Sequence, residues 1–113
     1  MKRRTKEFAL RAMKLADALP KTAGGKTIGG QLVRAATSVA ANYRAACRAR
    51  SGADFRNKLA VCEEESDESA FWIELAAEAT LIPARRLKEL LDESNELTAI
   101  LVASRRTSAR RRA

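Results

Sequence analysis

Apolar residues recur at helical spacing along four segments of this chain. In the first segment, residues 4–19, the steps between them are four, three and four, so they fall on one face of a helix: Phe8, Ala12, Leu15 and Leu19. Pro20 cannot continue that helix, and the glycine-rich residues 21–30 predict a loop in which Thr27 caps the next helix. The pattern therefore predicts a first helix over residues 4–19, followed by a flexible connection.

The second segment, residues 28–49, is rich in alanine and predicts a central helix. Its small side chains allow neighbouring helices to approach closely, and three polar residues run along one edge of its apolar face: Gln31, Ser38 and Asn42. Polar groups at the edge of a packed face need hydrogen-bond partners on an adjacent helix. We expect a structural polar network in which Glu65 and Ser69, four residues apart near the inner face of the third helix, supply those partners.

Two further helices are predicted over residues 52–81 and 83–104. Ser51 and Asp54 have the spacing of a capping box, and Pro83 fits the first position of the last helix. A third helix of nearly thirty residues favours an elongated bundle over a globin-like packing. The remaining residues, 105–113, contain five arginines without apolar periodicity, which predicts a basic disordered tail.

The composition agrees with an all-α fold. Only 4% of the 113 residues are aromatic while 46% are hydrophobic, so Leu, Ala, Val and Ile must fill the core, as in tightly packed helices. A chain of this length forms one domain. We predict an up-and-down four-helix bundle over residues 1–104.

Charge is distributed unevenly along the chain. Residues 1–58 contain fourteen Lys and Arg against three acidic residues, whereas residues 59–104 contain three against eleven. Either the two halves pair inside the bundle, or a basic surface binds a polyanion. In the second case the candidate phosphate contacts are the arginines at the end of the central helix and in the tail: Arg44, Arg48, Arg50, Arg105, Arg106, Arg110, Arg111 and Arg112.

The sequence contains no recognisable catalytic, cofactor or metal constellation. It has no His, and five carboxylates within residues 63–68 lack the Glu-x-x-His spacing of di-iron bundles. Gly25, Lys26 and Thr27 look like the end of a phosphate-binding loop, but Pro20 occupies the position of its first glycine. Cys47 and Cys62 lack the CxxC spacing and predict free thiols. We therefore predict a protein that is not an enzyme and has no cofactor.

A second apolar strip on the third helix is displaced from its inner face. Trp72 and Leu75 lie on it, and Phe71 stands between acidic neighbours on yet another side of the helix. The strip either completes the bundle core or is buried against another protomer, and we favour the second interpretation for these three residues. The sequence shows neither a signal peptide nor an apolar run long enough to span a bilayer, which predicts a cytoplasmic protein.

Several motifs of this sequence resemble those of a known family, the small bacterial 23S rRNA intervening-sequence proteins. The resemblance covers residues 5–104 and is carried by the run QLVRAATSVAAN at residues 31–42, by Arg50 and Ser51 followed by Asp54 and Phe55, and by the spacing of Glu65, Glu68 and Trp72. It implies a left-handed bundle that assembles into a homopentameric ring and binds nucleic acid. It also implies similarity to the accessory protein of diversity-generating retroelements, whose partner is a reverse transcriptase. The family supplies no catalytic residues.

Two functions of different kinds are consistent with the sequence. The first is an oligomeric adaptor that binds RNA or DNA through its basic surfaces, as an accessory to a reverse transcriptase or in connection with rRNA intervening sequences. The second is a protein-interaction scaffold without any nucleic-acid role. We favour the first, because the basic half, the arginine tail and the resemblance all point to a polyanion.

Overall fold

Each of the four predicted helices forms. The protein was analysed as a computed structural model that describes residues 1–112, and these contain no β-strand. The helices are α1 (Lys2–Ala18), α2 (Ala23–Cys47), α3 (Gly52–Glu78) and α4 (Ala84–Arg112). The all-α, four-helix prediction is therefore confirmed.

The second helix begins five residues earlier than predicted. Thr22, and not Thr27, is its cap residue, because the Thr22 hydroxyl accepts the Gly25 N–H at 3.1 Å. The glycines read as a loop lie inside the helix. Gly25 explains why: a Cβ at this position would lie 1.9 Å from the Pro20 carbonyl oxygen, so only glycine lets the start of α2 pass so close to the end of α1.

The third helix begins as predicted and ends earlier. The Ser51 hydroxyl accepts the Asp54 N–H at 3.1 Å, as a capping serine should, while the Asp54 carboxylate accepts the N–H of Arg50. The helix stops at Glu78 because Thr80 adopts a positive φ of 53°. Two backbone hydrogen bonds, from Thr80 to Ala77 and from Leu81 to Ala76, complete a Schellman motif there.

The fourth helix corrects the prediction of a disordered tail. It continues through Arg112, so residues 105–112 are helical. Two contacts with α3 hold this last part in place: Arg105 forms an ion pair with Glu63, and Arg56 donates to the Ser108 hydroxyl at 3.4 Å. Since Arg and Ala are good helix formers, a segment anchored in this way has no reason to unwind.

Consecutive helices pack against each other along an elongated body of 49 × 21 × 19 Å. A large cluster of buried residues fills one part of the core, including Phe8, Leu32, Ile73 and Leu97, and a smaller one centred on Leu59 fills the other. The start of α1 lies beside the end of α2, and the start of α3 lies beside the end of α4. This pairing of opposite ends brings basic segments that are distant in sequence to the same end of the bundle.

Candidate nucleic-acid interface

A basic groove runs between the start of α1 and the end of α2. It has a volume of about 570 Å³ and is lined by Lys2, Arg3, Lys6, Ala40, Arg44 and Arg48. Five of the six lining residues are cationic and none is acidic. Ala40, with its small side chain, is the one uncharged residue among them. The groove therefore has the charge and shape to hold a phosphate backbone.

The cations of this groove are largely free of intramolecular partners. Arg3 lies 3.5 Å from Glu7 one turn away, but the Arg3 side chain is 92% exposed, and an exposed pair of this kind contributes little. Arg44 and Arg48 are exposed at the end of α2. A ligand phosphate would therefore displace no strong ion pair.

Arg4 belongs to the same helical turn but serves the fold. Its guanidinium donates to both carboxylate oxygens of Glu93, at 2.8 and 2.7 Å, and lies 3.0 Å from Glu96. The hydrogen bond from Arg4 lowers the pKa of the Glu93 carboxyl, against the raising effect of burial. Arg4 therefore joins α1 to α4 and is not a candidate for phosphate binding.

A second cationic depression, which we call the end surface, lies between the start of α3 and the end of α4. It has a volume of about 490 Å³ and is lined by Ser51, Gly52, Ala53, Arg56, Ser108 and Arg111. Arg56 and Arg111 supply its positive charge, and two hydroxyls and the glycine backbone supply small polar groups. Because α4 stays helical beyond residue 104, Arg111 occupies a defined place on the bundle.

The arginines predicted from the sequence are divided among several surroundings. Arg44 and Arg48 lie in the basic groove, and Arg111 lies in the end surface. Arg50 is exposed in the connection between α2 and α3, and Arg106 and Arg110 are exposed on α4. Arg105 differs from the rest, because Glu63 engages its guanidinium and raises its pKa. The predicted Arg112 side chain lies outside the described residues.

Sequence reasoning missed three lysines and arginines of the groove: Lys2, Arg3 and Lys6. The sequence analysis counted them only in the charge of residues 1–58 and gave them no role of their own. The signal that could have found them is the short connection between α1 and α2. Such a connection makes the two helices neighbours and brings the first turns of one beside the last turns of the other.

The predicted polar network forms only in part. Asn42 donates to the hydroxyl and the carbonyl of Ser38, both at 2.9 Å, and Gln31 accepts from Arg34, so these bonds stay within α2. Ser69 donates to the Glu65 carbonyl of its own helix, contrary to the expectation that it would bond across to α2. The part of the network that does reach from one helix to the other involves Glu65 on α3 and Ser38 on α2. Burial raises the pKa of the Glu65 carboxyl, and the Ser38 hydroxyl lowers it.

Ser66 and Ser94 join α3 to α4 by hydrogen bonds in the core. Each hydroxyl donates to the other residue's carbonyl, and the Thr98 hydroxyl lies 2.6 Å from that of Ser66. Every buried side-chain nitrogen and oxygen among the described residues has a hydrogen-bond partner. No buried polar group is therefore left over for a ligand in that part of the chain.

The strip proposed as a subunit contact divides between core and surface. Trp72 and Leu75 are partly buried and pack against the large core cluster of their own chain, and the Trp72 indole donates to Glu68 at 3.1 Å. Phe71 remains 52% exposed, with its ring edge-on to that of Trp72 at a centroid distance of 4.9 Å. Within the strip, Phe71 offers most of the surface that another protomer could cover.

The two thiols differ in environment. Cys62 is buried, its thiol donates to the Val39 carbonyl at 3.6 Å, and burial raises its pKa to about 12. Cys47 is exposed one turn from Tyr43, whose pKa is raised chiefly by burial. Over residues 1–112, no three His, Cys, Asp or Glu residues are grouped so that they could hold a metal ion. Nor does any helix in this range have the length and apolarity to cross a membrane.

Comparison with protein families gives a match over nearly the whole chain. The model of the family described as 23S rRNA-intervening sequence protein matches residues 1–103. The chain belongs to this family. One solved relative, at 1.70 Å, is a protein with unknown function from the S23 ribosomal protein family of Bacteroides thetaiotaomicron VPI-5482. It has 31% identity and a TM-score of 0.84, covering 90% of this chain and 94% of that chain. No curated protein matches the chain.

The matched range contains every residue that lines the basic groove. The match ends at residue 103, before the first arginine of the last part of α4. Arg111, and with it part of the charge of the end surface, therefore lies beyond the matched region.

Proposed function

We propose that this protein binds RNA or DNA through its basic groove and acts without catalysis. The observation that carries this proposal is the set of five cationic side chains from two helices that line one groove whose lining contains no acidic residue. An enzymatic role has no comparable support, since the candidate surfaces contain arginine, lysine and serine but no paired acid and base.

The chemistry of the groove favours the phosphate backbone over the bases. Lys and Arg neutralise phosphates, and the release of counterions makes such binding strongly dependent on salt. Sequence readout needs side chains that reach base edges, and single-strand stacking needs exposed aromatic rings. No aromatic ring lines the groove, and its only polar side chains are lysines and arginines, which bind phosphates irrespective of sequence. We therefore expect binding with little sequence preference.

A salt titration with groove variants tests this proposal. Fluorescence anisotropy with a labelled RNA of about 20 nucleotides should give an affinity that falls with a log–log slope of about −0.7 to −0.9 per phosphate contact. R44Q/R48Q should reduce the magnitude of that slope by about one unit per arginine. The matched control is R85Q/R86Q, which removes the same charge from the start of α4. Absence of binding at about 50 mM salt, or equal slopes for all three proteins, would refute the proposal.

We also propose that the bundle, with up-and-down connectivity and a left-handed twist, assembles with copies of itself into a ring, a pentamer as the family resemblance implies. The exposed Phe71 beside Trp72 supports a subunit contact there. Light scattering should give a smaller mass for F71E, whereas E74Q on the same exposed side leaves the mass unchanged. An unchanged mass for F71E would place the contact elsewhere.

Self-assembly also offers a second function, as a protein-interaction scaffold without nucleic acid. The two functions differ in what they require of the groove. A scaffold keeps its function when Arg44 and Arg48 are neutralised. An adaptor for a reverse transcriptase or for an interrupted rRNA no longer binds its nucleic acid. Co-purification of nucleic acid with the native protein, but not with R44Q/R48Q, distinguishes them.

A further inference from the structure

We infer that the basic groove and the end surface bind one nucleic-acid strand together, with the strand crossing the connection between α2 and α3. This inference rests on the proposed function and adds to it the path and the minimum length of the ligand. It assigns a binding role to the last turns of α4, which follow the family-matched region.

The two surfaces are close neighbours. Arg48 lines the groove and Ser51 lines the end surface, and only two residues, Ala49 and Arg50, lie between them. The three Cα–Cα steps from Arg48 to Ser51 span at most about 11 Å, even when the chain is fully extended. A strand in duplex geometry rises about 3.4 Å per nucleotide, so about three nucleotides bridge this distance. Arg50, which is exposed, lies between the two surfaces.

The contacts that hold the end surface in shape do not neutralise its positive charge. Arg105 pairs with Glu63 and fixes α4 against α3, while Arg111, which lines the depression, is exposed. Arg56 donates to Ser108, a neutral partner, so its full positive charge remains available. Arg56 and Arg111 therefore face a ligand from a defined scaffold and not from a flexible tail, which lowers the entropy lost on binding.

Two adjacent surfaces on one strand act as a bivalent site. Once the groove holds a strand, the end surface meets it at a high effective concentration, so its contribution appears only when the strand is long enough to reach both. A strand of about two nucleotides spans about 7 Å, less than the distance between the surfaces, and engages one surface at a time, whereas a strand of about 20 nucleotides engages both. Strand length is therefore the variable that separates joint binding from two independent sites.

The experiment measures anisotropy of labelled oligo(U) of about two and about 20 nucleotides with the full chain, R56Q/R111Q, R44Q/R48Q and the control R85Q/R86Q. We expect R56Q/R111Q to weaken binding of the long strand about fivefold or more and to reduce its salt slope by about two. Its affinity for the short strand should stay within about twofold of the unchanged protein. R111Q alone leaves the bond between Arg56 and Ser108 intact, so it repeats the test if the double variant is less stable.

The possible results separate this inference from the proposed function. If R44Q/R48Q weakens both strands while R56Q/R111Q and R111Q change neither, the end surface takes no part and the inference is overturned, although the groove stands. If R56Q/R111Q weakens the short and long strands by the same factor, the two surfaces do not act jointly, which also overturns it. If no pair of variants changes binding, the proposed function fails as well.

Discussion

Ser66 and Ser94 exchange hydrogen bonds across the contact between α3 and α4. The Ser66 hydroxyl donates to the Ser94 carbonyl at 3.0 Å, and the Ser94 hydroxyl donates to the Ser66 carbonyl at 2.7 Å. Both side chains are fully buried. If α4 slipped along α3, two hydroxyls would be buried without hydrogen-bond partners. Burial of this kind costs several kcal/mol of stability. The pair therefore fixes how the two helices align.

Removing one of these hydroxyls should be costly. We expect S66A to lower the free energy of unfolding by about 1–3 kcal/mol, because it removes the bond to the Ser94 carbonyl and a partner of Thr98. The control is S69A, which removes an equally buried hydroxyl whose bond, to the Glu65 carbonyl at 2.8 Å, stays within one helix. Urea denaturation measures both. Equal losses for S66A and S69A would show that the link between helices adds nothing.

The glycines of α2 should respond differently to alanine. At Gly25 a Cβ would lie 1.9 Å from the backbone oxygen of Pro20, whereas a Cβ at Gly30 would have no atom within 4 Å. We expect G25A to destabilise the fold by about 1–3 kcal/mol or more. G30A should stabilise it by about 0.5–1 kcal/mol, because alanine favours a helix interior. Thermal unfolding followed by circular dichroism tests the pair, and a stable G25A would mean that α1 and α2 are not so close at this end.

Thr80 is a β-branched residue in the left-handed region, which costs about 1–2 kcal/mol relative to glycine. Its side chain is exposed, so little packing is lost on truncation. We expect T80G to raise the free energy of unfolding by about 1 kcal/mol. T80A keeps the Cβ that causes the strain and should gain much less. A T80G variant no more stable than T80A would argue against the left-handed conformation at the end of α3.

Most of the fold could be predicted from local pattern, and what was missed depended on contacts between distant segments. Ser51 and Asp54 mark the start of α3 because a cap acts within one turn. The start of α2 was misplaced because the meaning of Gly25 depends on where Pro20 lies in space. Residues 105–112 looked disordered because their apolar pattern is absent, yet Glu63, forty-two residues from Arg105, holds them against the bundle.

The candidate interface also contains some residues that a local pattern reveals and others that only the packing of distant segments reveals. Arg44 and Arg48 could be found from the charge at the end of one helix, but Lys2 became part of the same groove only through the packing of α1 on α2. The predicted network failed at Ser69 for a related reason. Helical periodicity says which side a serine faces, but it does not say whether the serine bonds to its own helix or to a neighbouring one.

The ion pair of Arg4 and Glu93 should make part of the stability sensitive to acid. Arg4 holds the pKa of the Glu93 carboxyl below its ordinary value of 4.5. A carboxyl with a lowered pKa in the fold stabilises it above its unfolded pKa, and that contribution is lost as the pH falls through the folded value. We expect E93Q to be less stable than the unchanged protein at pH 7 by about 1–3 kcal/mol, and the difference to shrink as the pH falls below the unfolded pKa of about 4.3. E89Q, at an exposed position of the same helix, should show no such dependence.

Glu65 should behave in the opposite sense. Burial raises the pKa of its carboxyl above the ordinary 4.5, with a further contribution from Glu68, while the Ser38 hydroxyl and Arg34 oppose the shift. Above the folded pKa the ionised carboxylate is held in a site that disfavours its charge, so it lowers the stability of the fold. Below the unfolded pKa the carboxyl is neutral in both states and the cost disappears.

We therefore expect E65Q to unfold at a higher temperature than the unchanged protein at pH 7, and the difference to vanish as the pH falls below about 4. E64Q, the exposed neighbour, removes the same charge from the same helix and controls for the net charge of α3. Melting curves over this pH range measure the effect. A destabilised E65Q at pH 7 would mean that the bond from Ser38 outweighs the cost of burying the carboxylate, and that Glu65 stabilises the contact between α2 and α3.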